Sequence, residues 1–126
     1  MFKEIRKIRK ECPVCEVERD LSYGEIDEVL KVRGEDIEVT SRVHYCPEGD
    51  HYFYDIKDEE EKFQIAYREY RKRKGFLQPE EIEKIRKQYG LSQKNFARLL
   101  GWGDITIHRY ESGAIQDDVH NDVLRM

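Results

Sequence analysis

Cys12 and Cys15 stand two residues apart in "ECPVC", and a third cysteine, Cys46, follows in "YCPEGDH" without a fourth to pair with it. Three thiols cannot close a full set of disulfides. The N-terminal "MFKEIRKIRK" lacks the apolar core of a signal peptide, and no run approaches the ~18 apolar residues of a membrane span. The chain is therefore expected to be cytoplasmic, where thiols stay reduced and such spacings serve metals. A Cys-x2-Cys turn sets two thiolates close enough to share a tetrahedral Zn²⁺, and a second loop must bring two more ligands. Cys46 is the third. His51 is the leading fourth, with Asp50 and His44 as alternatives. A structural zinc suits the size, because 126 residues make one ordinary domain or two small ones, and a β module of about fifty residues buries too little apolar area alone. A catalytic zinc would need an open position and a base such as Glu48, and so small a module leaves little room for a cleft. No enzyme is expected.

The pattern changes three times along the chain. From Cys12 to about Asp55 it is strand-like: "VLKVRGEDIEV" alternates around a Gly34 turn, and "VHYCPEGDHYFY" returns as aromatic strand pieces. From Lys57 to Lys74 the period is helical, with Phe63, Ala66, Tyr67 and Tyr70 on one stripe, acids in the first turn and bases in the last. Gly75 ends it. A third region opens at Pro79, runs a stripe of Ile82, Ile85 and Tyr89 to Gly90, then restarts at a Ser92 cap with Phe96, Leu99 and Leu100 inward. "GWGD" leads to a further helix expected to be capped by Asp104 and stopped by Gly113. The final "DDVHNDVLRM" is helical in pattern but has no stop signal, so the chain is expected to continue or to have been cut there. The expected class is α+β with two small domains: a zinc-binding β module over 1–56, a linker helix over 57–75 and an all-α helix-turn-helix domain over 76–126.

"LSQKNFARLLGWGDITIHRYESG" resembles the phage-repressor (XRE) type of DNA-binding domain in the spacing of Leu91-Ser92-Gln93, Ala97, Leu100-Gly101, Ile107 and Arg109-Tyr110-Glu111-x-Gly113. That resemblance implies phosphate binding by Gln93, with Lys94 beside it, and bases faced by Asp104, Ile105, Thr106, His108 and Arg109. An arginine on the outer face of such a helix can pair with guanine O6 and N7. Ile107 and Tyr110 should be core. Arg86 and Glu111 fall where some repressors bury an ion pair; the alternative is a solvated pair worth ~0–1 kcal/mol. Trp102 is expected to anchor the domain core, and His120 to lie on the surface. The net charge of −4 weighs mildly against nucleic acid, but bases cluster in "KEIRKIRK" and in "REYRKRK".

Taken together, "CPVC", a hairpin with a "VRG" turn, "YC" at the third ligand and "RYE-x-G" resemble the MqsA family of antitoxins, also described as YgiT-type zinc finger and helix-turn-helix proteins. The resemblance implies a homodimer held by the C-terminal domains, operator DNA bound there as a repressor, and a zinc-stabilised N-terminal domain that binds a cognate toxin. Two positions depart from the family pattern. Its second Cys-x2-Cys is here Cys46-Pro47-Glu48-Gly49, and its Asn-x3-Arg is here Ile105-x3-Arg109. The alternatives are a solitary phage or mobile-element regulator with a structural zinc, and a small zinc enzyme.

Overall fold

The computed structural model describes all 126 residues, Met1–Met126, as two compact units, Met1–Ala66 and Tyr67–Met126. The class is α+β, with strands first and helices after. No helix is long and apolar enough to cross a membrane.

Four strands form one antiparallel sheet in chain order: β1 (Lys3–Glu11), β2 (Glu18–Val32), β3 (Glu35–Cys46) and β4 (His51–Phe53). The hairpin expected around Gly34 is β2–β3, paired from Val32↔Glu35 to Ser22↔Tyr45 and so much longer than the alternation suggested. Arg33 and Gly34 take φ of 47° and 83°, the type I′ turn whose twist matches that of the flanking strands. Along β3, Ile37, Val39, Ser41 and Val43 are buried while Glu38, Thr40 and Arg42 face water, the period of two that a half-buried strand requires.

The basic run at the start, legible in the sequence only as a charge cluster, is β1. Its bases line an edge strand and oppose edge-to-edge pairing with other chains. The β1–β2 register slips between Glu4 and Arg6, and Gly24 sits opposite Glu4 at that slip. A Cβ on Gly24 would collide with the carbonyl of Lys3 and lie 2.9 Å from Cα of Glu4. Gly24→Ala is expected to push β1 off the sheet at a cost of ~1–3 kcal/mol, measurable as a lower urea midpoint; an unchanged midpoint would refute the close approach.

Helix α1 (Ile56–Lys74) carries acids in its first turn and bases in its last, as expected. Of the expected stripe, Ala66 and Tyr70 are buried, Tyr67 is half-buried and Phe63 is left 39% exposed, while Lys62 and Arg71 join the buried face. Long stems explain this. Lys62 covers apolar surface with its methylenes and sets its ammonium 3.9 Å from the Tyr54 ring centre and 3.8 Å from Glu28. Arg71 is fully buried and donates to the carbonyls of Gly113 (2.6 Å) and Ala114 (3.3 Å).

The second unit adds α2 (Pro79–Gln88), α3 (Gln93–Leu99), α4 (Thr106–Glu111) and α5 (Asp118–Arg125) around Ile82, Phe96, Ala97, Ile107 and Leu124. Ser92 caps α3 as expected, accepting from the amide of Asn95 at 3.1 Å. Three expectations need correction. Tyr89 and Leu99 are each 64% exposed: Tyr89 lies past the last turn of α2 as its C-cap, and α3 turns Phe96, Ala97 and Leu100 to the core instead of Leu99. Asp104 does not cap α4: Ile105 holds that position without a side-chain bond, and the Asp104 carboxylate takes the Arg98 fork at 3.0 and 3.2 Å. His120 is half-buried, stacked 3.8 Å from the Trp102 ring and bonded to the Tyr110 hydroxyl at 2.6 Å, and Trp102 packs on the core as expected.

Arg68 grips Glu80 through two bonds of 3.0 and 2.6 Å and, with the backbone, holds its carboxyl at about 2. A folded pKa below the unfolded one gives stability that is complete above the unfolded value of ~4.3 and is lost as pH falls towards 2. Both side chains are more than half exposed, so the pair is worth under ~1 kcal/mol. Glu80→Gln should therefore remove a small part of the acid limb in that window and leave stability above pH 6 lower by the same small amount; a steeper acid limb would contradict this assignment.

Candidate functional site

Two turns build the first site. After β1 the chain folds back on itself, with the Cys12 amide bonded to the Val17 carbonyl (2.9 Å) and the Glu16 amide to the Cys12 carbonyl (2.7 Å). The amide of Cys15 then approaches the Cys12 sulfur at 3.5 Å. The turn after β3 repeats the arrangement, the Gly49 amide lying 3.4 Å from the Cys46 sulfur. Both are Cys-x2 turns with the same amide-to-sulfur contact, although the second ends in glycine. Antiparallel pairing sets Cys46 against His51 across β3 and β4.

The ligand atoms of Cys12, Cys15, Cys46 and His51 all lie within 4.8 Å of one another. Zn–S bonds of about 2.3 Å and Zn–N bonds of about 2.0 Å would place tetrahedral ligands about 3.5–3.8 Å apart, so the four need only small adjustment. Cys12 and Cys46 are fully buried against Leu21, Ile8 and Phe53, a dry wall behind the sulfurs. His51 Nε2 is 3.0 Å from the Cys12 sulfur. Burial pushes the Cys12 thiol up, but backbone amides and His51 outweigh it and hold Cys12 at about 6. The Cys12 contact raises His51 against burial, and burial raises Cys15.

Gly49 explains how an imidazole enters a site shaped for thiolates. A Cβ there would meet Cε1 and Nδ1 of His51 and lie 3.1 Å from the Cys15 sulfur. The space that a side chain at residue 49 would use is filled by the ring from residue 51. Gly49 has no left-handed backbone; it is the neighbouring Asp50 that takes φ 49°.

The other two candidate ligands are occupied elsewhere. Asp50 accepts from the Tyr45 hydroxyl at 2.6 Å. His44 is buried, stacked 4.8 Å from the Phe53 ring, with Nε2 3.7 Å from Asp55, and burial pushes its pKa down. Asp55 and Asp58, which approach His44, already bind Lys10 (3.0 Å) and the Tyr23 hydroxyl (2.9 Å). Their cavity, about 290 Å³, is also lined by Arg6, Arg42, Lys57 and Glu61, so with Lys10 four bases face three acids and the balance does not favour a dication. Glu48, the imagined base, pairs with Arg19 at 2.5 Å. Arg19 was not legible as a site residue. It is half-buried on β2, its charge held up by a hydrogen bond to Cys15.

In the second unit, Arg86 and Glu111 form a fork of 2.8 and 3.1 Å, with side chains only 13% and 7% exposed. Arg86 also donates to the Leu91 carbonyl at 2.9 Å, and Gln93 Nε2 to Glu111 at 3.1 Å. The pair is thus buried, and it ties α2 to the end of α4 and the start of α3. Of the residues expected to meet DNA, Lys94, Asp104, Ile105, His108 and Arg109 are exposed, while Gln93 and Thr106 are half-buried. Ile107 is fully buried between them, so α4 turns His108 and Arg109 outward. Among the bases of the unit, Arg98 is tied to Asp104, Lys87 to Glu83 and Arg125 to the Gly75 carbonyl. Arg71 is withdrawn from the basic run at 71–74, being fully buried on the Gly113 carbonyl.

No curated protein matches the chain. Over residues 10–125 the sequence matches the family model described as the antitoxin component of bacterial toxin-antitoxin systems, MqsA. The chain belongs to the MqsA family: it is the antitoxin component of a toxin-antitoxin system, with a cognate toxin as partner and a regulatory rather than an enzymatic role.

Proposed function

We propose that this antitoxin is a dimeric, sequence-specific repressor of the helix-turn-helix (XRE) type, with a YgiT-type structural zinc in the module that holds the toxin. The observation that carries the zinc is the convergence of Cys12, Cys15, Cys46 and His51 within 4.8 Å beside a glycine that makes room for the ring. Three thiolates and a neutral imidazole leave a zinc complex with one net negative charge, and Arg19 lies beside it. Bound there, the metal would supply folding energy alone, because Cys12, Cys15, Cys46 and His51 would satisfy a four-coordinate zinc and leave no position for substrate.

The toxin is read onto the edge of β4. Tyr52 is 48% exposed and stands 4.8 Å from Tyr45 and 5.7 Å from Phe2, an aromatic patch next to the unpaired side of the last strand. Phe53 and Tyr54 are used inward, by His44 and Lys62. The domains are read as a zinc module over 1–56 and a DNA-binding domain over 76–126, with the helix between them.

DNA is read onto α3 and α4. Arg109 faces a guanine, Gln93 and Lys94 hold phosphate, and Ile105, 64% exposed, suits a thymine methyl. From Pro79 onward there are seven bases against eight acids, and several of those bases are committed to carboxylates or carbonyls. Non-specific attraction is therefore weak, and affinity rests on two half-sites about one helical turn apart. Arg109→Ala should cost ~1–3 kcal/mol and relax one base pair, whereas Lys94→Ala should weaken all sequences alike and lower the salt slope by about one. Titration over palindromic DNA reads both, and equal affinity of Arg109→Ala and wild type for the best site would overturn the assignment.

A further inference from the structure

The network behind α4 determines which nitrogen of His108 carries its proton. Glu111 is an acceptor only, already gripped by Arg86, so the end of the Gln93 side chain 3.1 Å from it must be the amide nitrogen. The carbonyl oxygen of Gln93 is thereby turned to His108, whose Nδ1 is 3.2 Å away. An oxygen that only accepts needs a donor, so the proton of the neutral ring sits on Nδ1. Nε2, on an exposed residue at the outer face of α4, is left as a bare lone pair.

From this we infer that His108 is a specificity-determining residue that accepts a hydrogen bond from an exocyclic amine, adenine N6 or cytosine N4, in the major groove. Only those two base groups donate there; guanine N7 and O6 and thymine O4 accept, and would face the Nε2 lone pair unfavourably. Arg109, next in the helix, has donors alone. Neighbouring side chains then read opposite polarities, and the chain Arg86–Glu111–Gln93–His108 carries that choice from a buried ion pair to the surface. The inference rests on the reading of α4 as the DNA-facing helix.

Two measurements on the full-length protein separate the two ideas. Nitrogen-15 NMR of the free protein at pH 8 should show His108 as the Nδ1–H tautomer, and Gln93→Ala should return it to the Nε2–H form that free histidine favours. An Nε2–H ring in wild type overturns the inference whatever DNA does. Selection from randomised duplexes at pH 8 should then yield one position enriched in adenine or cytosine on the contacted strand. His108→Ala should flatten that preference by roughly five- to tenfold, the worth of one net hydrogen bond, while Arg109→Ala flattens a different position. If Arg109→Ala relaxes a position and His108→Ala relaxes none, or relaxes one enriched in guanine or thymine, this inference fails and the recognition helix stands. Failure of wild type to select any sequence overturns both.

Discussion

His51→Ala is expected to lower zinc affinity by more than about a hundredfold, beyond the upper end of what removing an outer partner of a ligand costs. Wild type should hold one zinc per chain, and chelation should unfold the first unit around the four candidate ligands, where the buried core is little more than Cys12, Leu21 and Cys46. The decisive variant is the double exchange Gly49→Cys with His51→Ala. Residue 49 is placed so that a side chain there approaches the Cys15 sulfur, and the ring that blocks it is removed in the same protein. The double variant should recover tight binding as a four-thiolate site, while Gly49→Ala alone should weaken binding by displacing His51. Asp50→Ala should change nothing, since that carboxylate serves Tyr45. Competition with a chromophoric chelator reads all four. A His51→Ala protein with unchanged affinity, or a double variant no tighter than His51→Ala, would remove His51 from the site.

Glu111→Ala should be the costliest single change in the second unit. It leaves the Arg86 guanidinium in a place only 13% exposed with one remaining acceptor, the Leu91 carbonyl, and it takes the partner from Gln93. Breaking a buried pair from one side costs ~3–5 kcal/mol because an uncompensated charge stays behind. The same physics predicts that Arg86→Met together with Glu111→Leu is far milder, since neither charge then has to be desolvated. Urea titration followed by Trp102 fluorescence measures both. A loss under ~1 kcal/mol for Glu111→Ala is the behaviour of a solvated surface pair and would contradict the burial.

Both results depend on distinctions of unequal visibility in the sequence. The α2–α4 pair could be located from the resemblance to repressors, which implies a pair at Arg86 and Glu111, but its worth could not, because the same two residues exposed to water would contribute almost nothing. Likewise, the β2–β3 turn was legible at Gly34, where a positive φ is cheap, whereas β1 was not. An edge strand that turns only Ile8 and Lys10 partly inward needs no apolar alternation, so "KEIRKIRK" carries charge and no period. The α1 stripe held at Ala66 and Tyr70 but missed Lys62 and Arg71 for a related reason: both bury long stems, and a pattern that counts them as polar leaves them outside.

By itself the sequence determined the elements whose cause is local. Cys-x2-Cys spacing, the Ser92 cap, the helix stops at Gly75, Gly90 and Gly113, and the core positions Ile82, Phe96 and Ile107 follow from backbone preferences and from periods of two or 3.6 residues. Only the tertiary structure decided among residues equivalent by spacing and type. His44 and His51 both lie near Cys46, yet one is stacked on Phe53 and the other seated over Gly49, because strand pairing across β3 and β4 brings residue 51 to the sulfurs. Asp104 looked like a cap and became a partner for Arg98, and Arg71, one of a run of surface-type bases, became a buried clamp on Gly113. Each outcome depends on a partner distant in the chain, and the identity of such a partner is a property of the folded arrangement that no local stretch encodes.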